Sequence, residues 1–356
     1  MSNNIKQLEN IFQDNLAIKN KWRARFLSLF ITSLIKARTV NLADIATVFT
    51  TQSKTESNYR RIQRFFEQFS MHYELLGKML LALLPKHQIF IVAMDRTNWK
   101  FGKKDINILM ITLVYKGMSF PLCWKLLNKR GNSNYKERIE LFEMLLRILP
   151  KERIKSLVAD REFDGEDWVT YLVKNEIPFH IRVKHTLTYN KHRKEGGKRI
   201  KNLLDKQKGF TYFIYPKKVV IFKQMLHIGG KRLPDNDYLI LVSNYHPEEG
   251  IDGYRQRWTI EKLFNKFKTR GFNLEVTQMT DLEKLKKLIG LVSIAFCWSF
   301  LTGELLSQSY KIKVITNPKR VKSIFDQGFK YLRKIICNIN CYLDEFYNLV
   351  NLLSCA

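Results

Sequence analysis

Negative charge is what this chain has least of: of 356 residues, 61 are Lys or Arg and 33 are Asp or Glu, a formal net charge of +28. An excess spread along the whole length favours a polyanionic partner, nucleic acid ahead of a membrane surface, and does not separate DNA from RNA. Cysteine is scarce too. Cys123, Cys297, Cys337, Cys341 and Cys355 are odd in number and set mostly in apolar or helical contexts, which argues against a disulfide framework. Cys337 and Cys341 lack a second ligand pair, and no His and Cys cluster occurs elsewhere, so a zinc site is not indicated. The polar opening MSNNIKQLENIFQDN shows no signal peptide. The longest apolar run, residues 288–303, is shorter than the roughly 20 residues a membrane-spanning helix needs, and reads as a buried core helix of a cytoplasmic protein. Internal repeats, low-complexity tracts and a glycine-rich phosphate loop are all missing.

What is present is the aromatic and aliphatic content of a folded protein, in a chain long enough for one large domain or two to three smaller ones. Residues 4–69 read as helical, with a short helix over 41–49, a turn TTQSKTES, and a helix over 58–69, NYRRIQRFFEQF. Two readings stay open there. It is a helix-turn-helix with Asn58, Arg60, Arg61 and Arg64 as DNA contacts, or a packing helix with a solvated basic side. Near the other terminus, residues 281–306 predict a long helix with Lys284, Lys286 and Lys287 in its first turns. Pro318 interrupts the chain, and residues 321–353 are again helical, either covering a sheet face or forming a dimer contact.

From residue 87 the pattern turns to strand. QIFIVAMDRTNW carries an apolar run ending at Asp95, and two further strands join near Lys116 and Gly117. A helix over 135–149 stops at Pro150. RIKSLVADREF repeats the first arrangement with Asp160, and a helix over 164–176 and a strand PFHIRVK follow. A lone aspartate at a strand end is most often a turn former or helix cap. Two of them place carboxylates at the rim of a sheet, where α/β domains hold their chemistry. Residues 182–243 are basic and then strand-like. Tyr189, His192, Phe210, Tyr212 and Tyr215 interleave there with Lys and Arg, a composition that suits nucleic-acid contact and equally an exposed hairpin whose aromatics pack.

Residues 250–271, GIDGYRQRWTIEKLFNKFKTRG, read as one helix bounded by glycines, with Lys268 and Arg270 in the last turn. Ile260, Leu263, Phe264 and Phe267 form its buried stripe. Beside that stripe Tyr254, Arg257, Glu261 and Lys268 share one edge, a single acid among donors and cations. Taken alone, this is an amphipathic helix with a local ion pair.

The spacing Tyr-x2-Arg-x3-Glu-x6-Lys resembles the signature of DDE transposases encoded by bacterial insertion sequences, in the family numbered four. Asp160-Arg161-Glu162-Phe163 resembles that family's second-acid motif, with Glu162 where many members carry a small or aromatic residue. The resemblance implies an α/β fold: a ribonuclease H-like catalytic domain over 81–305 with a β-rich insertion at about 182–245, after a helical DNA-binding domain over 1–80 and before a helical region over 306–356. It implies that Asp95, Asp160 and Glu261 are the catalytic acids and the ligands of two Mg2+ ions, or of Mn2+, with Asp95 bridging them. Tyr254, Arg257 and Lys268 would grip phosphates of the transposon end, and Trp258 would pack or stack beside them. The implied partners are double-stranded DNA, as terminal inverted repeats and as target, and a second copy of the chain in a homodimeric synaptic complex on the bacterial nucleoid. The implied reaction is cut-and-paste transposition, with or without hairpinned ends. The rivals are a nuclease or resolvase of the same fold that does not join strands, and a transposase-derived DNA-binding protein that does not catalyse.

Overall fold

The computed structural model describes residues 5–101, 104–189, 197–204, 211–234, 237–309 and 323–354; His192, Phe210, Pro318 and Cys355 lie outside them. The chain divides into two compact units: Met1–Lys86 with Trp99–Lys104 and Phe264–Ala356, and His87–Asn98 with Asp105–Leu263. The first begins with α1 (Lys6–Leu16), α2 (Lys21–Ala37), α3 (Leu42–Thr47), α4 (Thr55–Gln68) and α5 (Tyr73–Ala82). Asn20 starts α2 by accepting from the amides of Trp22 and Arg23, satisfying donors that have no partner within the helix. Nearly every side chain of α2 from Phe26 to Ile35 is buried, which makes it the unit's central helix. In α4 the apolar Ile62, Phe65 and Phe66 face inward while Arg60 and Arg64 are exposed. Phe65 stacks on Phe26 with ring centroids 4.7 Å apart.

The second unit is built on a sheet. Its strands are β1 (Phe90–Phe101), β2 (Lys104–Tyr115), β3 (Met118–Leu126), β4 (Ile154–Ala159), β5 (Phe179–Arg182), β6 (Thr188–Tyr189), β7 (Lys198–Arg199), β8 (Phe213–Ile214), β9 (Val219–Ile221), β10 (Gln224–Arg232) and β11 (Tyr238–Ser243). Nine of them form one sheet in the order β3-β2-β1-β4-β5-β11-β10-β8, with β9 beside β10. β1, β4 and β5 run parallel, whereas β11 joins β5 antiparallel. The β2–β3 hairpin turns at Lys116 and Gly117, with φ of 46° and 74°; left-handed backbone at both positions matches the strand twist. The unit's helices are α6 (Tyr135–Ile148), α7 (Glu166–Lys174), α8 (Lys201–Leu204), α9 (Gly250–Arg255) and α10 (Trp258–Asn265). α6 opens on a capping box made by Asn134 and Glu137.

The stretch expected to be one helix over 250–271 is instead three pieces. α9 ends at Arg255, α10 begins at Trp258, and Lys266–Arg270 is wound as a π-helix. Between α9 and α10 the amides of Gln256 and Arg257 bond three residues back, to Gly253 and Tyr254, the tighter winding of a 3₁₀ turn. Gly250 and Gly253 do not bound the helix; they lie inside α9. A Cβ on Gly250 would meet the Tyr212 hydroxyl at 2.9 Å, and one on Gly253 would meet His180 Cδ2 at 3.2 Å, so the glycines let α9 lie close on β5.

The first unit is completed by α11 (Leu282–Ser309), α12 (Ile324–Cys337) and α13 (Leu343–Asn351). Judged by the apolar run alone, α11 was too short to span a membrane. The helix around that run, Leu282–Gln308, is long and apolar enough by length and composition, and 83% of its most apolar window is buried inside the protein. Burial is what marks it as a core helix. α11 and α12 cross at Gly303 and Gly328, where a Cβ on Gly328 would stand 2.0 Å from the Ser299 carbonyl oxygen and 2.3 Å from the Gly303 nitrogen. Backbone atoms cannot swing aside as a side-chain tip can. Gly328→Ala is therefore expected to destabilise the protein by at least about 1–3 kcal/mol, read as a lower urea midpoint. An unchanged midpoint would mean that the helices do not cross this closely.

Candidate active site

Asp95 and Asp160 are neighbours by register. β1 pairs with β4 from Phe90 and Ile154 to Met94 and Ala159, so the next residue on each strand is one of the two aspartates, with strands about 4.8 Å apart. Asp160 stands where β4 ends. Asp95 does not end its strand, as the sequence suggested, because β1 runs on to Phe101. It marks where β4 stops covering β1.

Each carboxylate is oriented locally and then tied to the segment that follows the sheet. Asp95 Oδ1 accepts from the Arg96 amide at 2.7 Å, and Asp160 Oδ1 accepts from the Arg161 amide at 2.8 Å. Arg257 Nη1 donates to Asp95 Oδ2 at 2.9 Å while its Nη2 donates to Glu261 Oε1 at 2.7 Å. One turn earlier, the Tyr254 hydroxyl donates to Asp160 Oδ1 at 3.1 Å. Residues three and four apart therefore gather all three acids. They do so around donors: among the described residues no three His, Cys, Asp or Glu side chains lie close enough together to hold a metal ion.

The electrostatics follow from burial. The Asp95 side chain is 13% exposed and that of Arg257 is 8% exposed. Burial pushes the Asp95 carboxyl up to about 6; Arg257 and the Arg96 amide pull the other way, while Glu162 and Asp160 add to the rise. Burial disfavours the Arg257 charge, but Tyr254, Asp95, Asp160 and Glu261 outweigh it, and its pKa stands above the ordinary arginine value. Burial likewise raises the Tyr254 hydroxyl to about 12, so at neutral pH it is a donor. The Nε–H groups of Arg257 and Arg182 are buried with no partner among the described residues.

Two supports escaped the sequence reading. A buried hydroxyl chain runs from the Ala93 carbonyl through Thr112 and Ser119 to Thr259. It joins the strand two residues before Asp95 to the helix two residues before Glu261. The second support is Arg96, which forks onto Glu162 with both bonds at 3.2 Å and also donates to Asn107 and Asn132. Glu162, the departure from the expected motif, is thus ion-paired with the residue next to Asp95. Arg138 fixes the same loop from below through the carbonyls of Glu162 and Asp164. The sequence signal for Arg96 was faint: a cation directly after one acid and an extra acid after the other.

The remaining candidates are placed less centrally. Trp258 is 59% exposed, with the Arg257 guanidinium 6.0 Å from its ring. Lys268 falls in the π-helical segment, where the seven-residue offset from Glu261 no longer keeps one edge; it belongs to the first unit, 3.4 Å from Glu275 and 5.6 Å from the ring of Trp99. Asn58 is buried at 2% and Arg61 lies 6.0 Å from the Phe26 ring, also in the first unit. Tyr212 packs on the cluster of Leu239, Leu241 and Tyr254 and donates to the Pro247 carbonyl at 3.4 Å, so it braces Tyr254 from behind.

Two aspartates from adjacent parallel strands and a glutamate from a following helix are thus brought together through Arg257 and Tyr254. The family described as transposase DDE domain matches residues 85–298, and the chain belongs to it. No curated protein matches the chain. Among solved structures it is similar to the NurA nuclease from Sulfolobus solfataricus, with 11% identity over 73% of this chain and 96% of that one, at a TM-score of 0.25; a likeness that slight has no bearing on function.

The Asp95 carboxyl is expected to titrate near pH 6 in metal-free protein, followed by carbon-13 NMR of the side-chain carboxyl, and Arg257→Met is expected to move it higher still. A raised folded-state pKa gives a stability contribution that is complete below about pH 4 and is lost as pH rises through about 6. A midpoint near 4 in both proteins would contradict the burial argument.

Proposed function

We propose that the chain is a transposase of the insertion-sequence family numbered four, which cuts DNA at the ends of its element and transfers the freed strand from the same site. The single observation that carries this reading is that Arg257 and Tyr254, three residues apart, touch Asp95, Glu261 and Asp160. The strand order β3-β2-β1-β4-β5, with β1, β4 and β5 parallel, supports a ribonuclease H-like domain carrying a β-rich insertion.

The donor types suit a hard divalent cation, although as they stand the three acids face Arg257 and Tyr254 and do not converge closely enough to hold one. The set consists of carboxylate oxygens, the ligands that Mg2+ and Mn2+ prefer; burial raises the Asp95 pKa, and Glu162 and Asp160 add to the rise. Asp95, Asp160 and Glu261 would hold such ions. When bound, the ions supply a low-pKa water and neutralise charge on the reacting phosphate. The chain's own donors do the rest. Arg257 and Tyr254 now satisfy carboxylates; with those carboxylates engaged elsewhere, they are free to donate to phosphate oxygens. The unpartnered Nε–H groups of Arg257 and Arg182 carry a desolvation penalty of about 1–3 kcal/mol each, which a phosphate oxygen would relieve. The exposed Arg60 and Arg64 of α4 suit contact with duplex phosphates. Inverted-repeat recognition, target capture and synapsis by two copies belong to the same reading.

Asp95→Asn, Asp160→Asn and Glu261→Gln are each expected to lower cleavage of a linear transposon end by on the order of 10³-fold or more, while band shifts at low salt stay as in wild type. An active single variant would remove that acid from the site. The same reaction with wild-type protein and a target plasmid should give joined products; cleavage without joining would identify a nuclease instead.

A further inference from the structure

The first unit holds a groove bounded by Trp22, Arg25, Arg61 and the loop of residues 50–53. We propose that it binds a short run of unpaired DNA, with Trp22 as the platform on which a base stacks. The inference rests on the reading of the chain as a DNA-processing enzyme.

Trp22 is 75% exposed; of six tryptophans only it and Trp258 are exposed by more than a third. A large aromatic ring left in water is an informative exception to burial. It stands in the first turn of α2, with the Arg25 guanidinium 5.9 Å from its ring centroid. Arg25 also meets Glu9, loosely, at 3.9 Å. The groove encloses about 1000 Å³ and its floor is apolar, formed by Phe26, Leu29, Val48 and Phe49. Among the described residues its walls carry three cations, Arg25, Lys36 and Arg61, and no aspartate or glutamate.

The wall of hydroxyls is held in place. Asn58, buried at 2%, accepts from Thr51 Oγ1 at 2.8 Å and donates to the Ser53 carbonyl at 3.4 Å. Lys36 Nζ donates to Thr50 Oγ1 at 3.0 Å. Asn58 thus shapes this wall from the inside, as a positioning residue. An apolar floor, a cationic rim free of acids and an exposed indole at the mouth are the elements of single-strand binding, in which bases stack on aromatic rings and phosphates meet charge. A duplex hides its base faces and would leave the indole without a partner. A cavity of this volume admits a few nucleotides and not a double helix.

The test uses the full chain, with fluorescence anisotropy of a short fluorescein-labelled oligothymidine and of a blunt duplex. Trp22→Ala is expected to weaken oligothymidine binding by about tenfold or more and to leave duplex binding within about twofold. Trp22→Tyr should retain most of the affinity. Arg61→Ala should weaken binding and lower the salt slope by roughly one ion. Oligothymidine should quench tryptophan fluorescence in wild-type and Trp258→Phe protein but not in Trp22→Phe. Unchanged oligothymidine affinity in Trp22→Ala, or an equal loss for the duplex, would overturn the proposal. DNA cleavage with no effect of Trp22→Ala removes the groove alone. Groove effects in a protein that never cleaves DNA remove the catalytic reading and leave the groove.

Discussion

A guanidinium that is 8% exposed cannot shed its proton at any ordinary pH and cannot stay buried without anions around it. That requirement, placed on Arg257, organises the second unit. Asp95 and Glu261 come from segments far apart in the chain, and each meets a different nitrogen of the same planar fork. Leaving one partner of a buried pair without the other costs about 3–5 kcal/mol. The arrangement is therefore held firmly and is also under tension: Asp95 is pushed towards its neutral form even while it faces a cation. A site in that state gains from an incoming cation or phosphate.

The rest of the unit follows from bringing those groups together. Parallel pairing of β1 with β4 sets the two aspartates side by side. Gly250 and Gly253 let α9 settle on the sheet, with His180 and Tyr212 filling the contact. The hydroxyl chain from Ala93 to Thr259 then sets the height of α10 over the strands. It is short, buried and uncharged, so it fixes distance without adding to the crowded charges above it. Arg96 performs the complementary task of tying Glu162 to the strand beside Asp95 through an ion pair.

The sequence made much of this legible. β-rich runs ending near Asp95 and Asp160 announced the sheet, and Tyr254, Arg257 and Glu261 keep their shared edge because three- and four-residue offsets survive a brief 3₁₀ turn. Lys268 did not survive, because the π-helical winding after Asn265 changes the angle per residue, and nothing in NKFKTRG signals that. The end of β1 was misplaced because a strand can outlast its neighbour, which depends on pairing and not on local pattern. Asn58 looked like a surface amide because its helix was taken to begin at that residue; starting at Thr55 instead, the helix turns Asn58 inward to Thr51 and Ser53. The contact of Arg96 with Glu162 spans 66 residues, a separation at which a sequence without aligned relatives carries no trace.

The claim that most depends on these contacts is that the acids around Arg257 are built to share divalent cations. An anomalous-scattering crystal structure of the protein soaked in Mn2+ tests it directly. The account expects manganese peaks bounded by oxygens of Asp95, Asp160 and Glu261, with Arg257 turned away from at least one of its two carboxylates. Manganese bound elsewhere, with Arg257 still bridging Asp95 and Glu261, would contradict it.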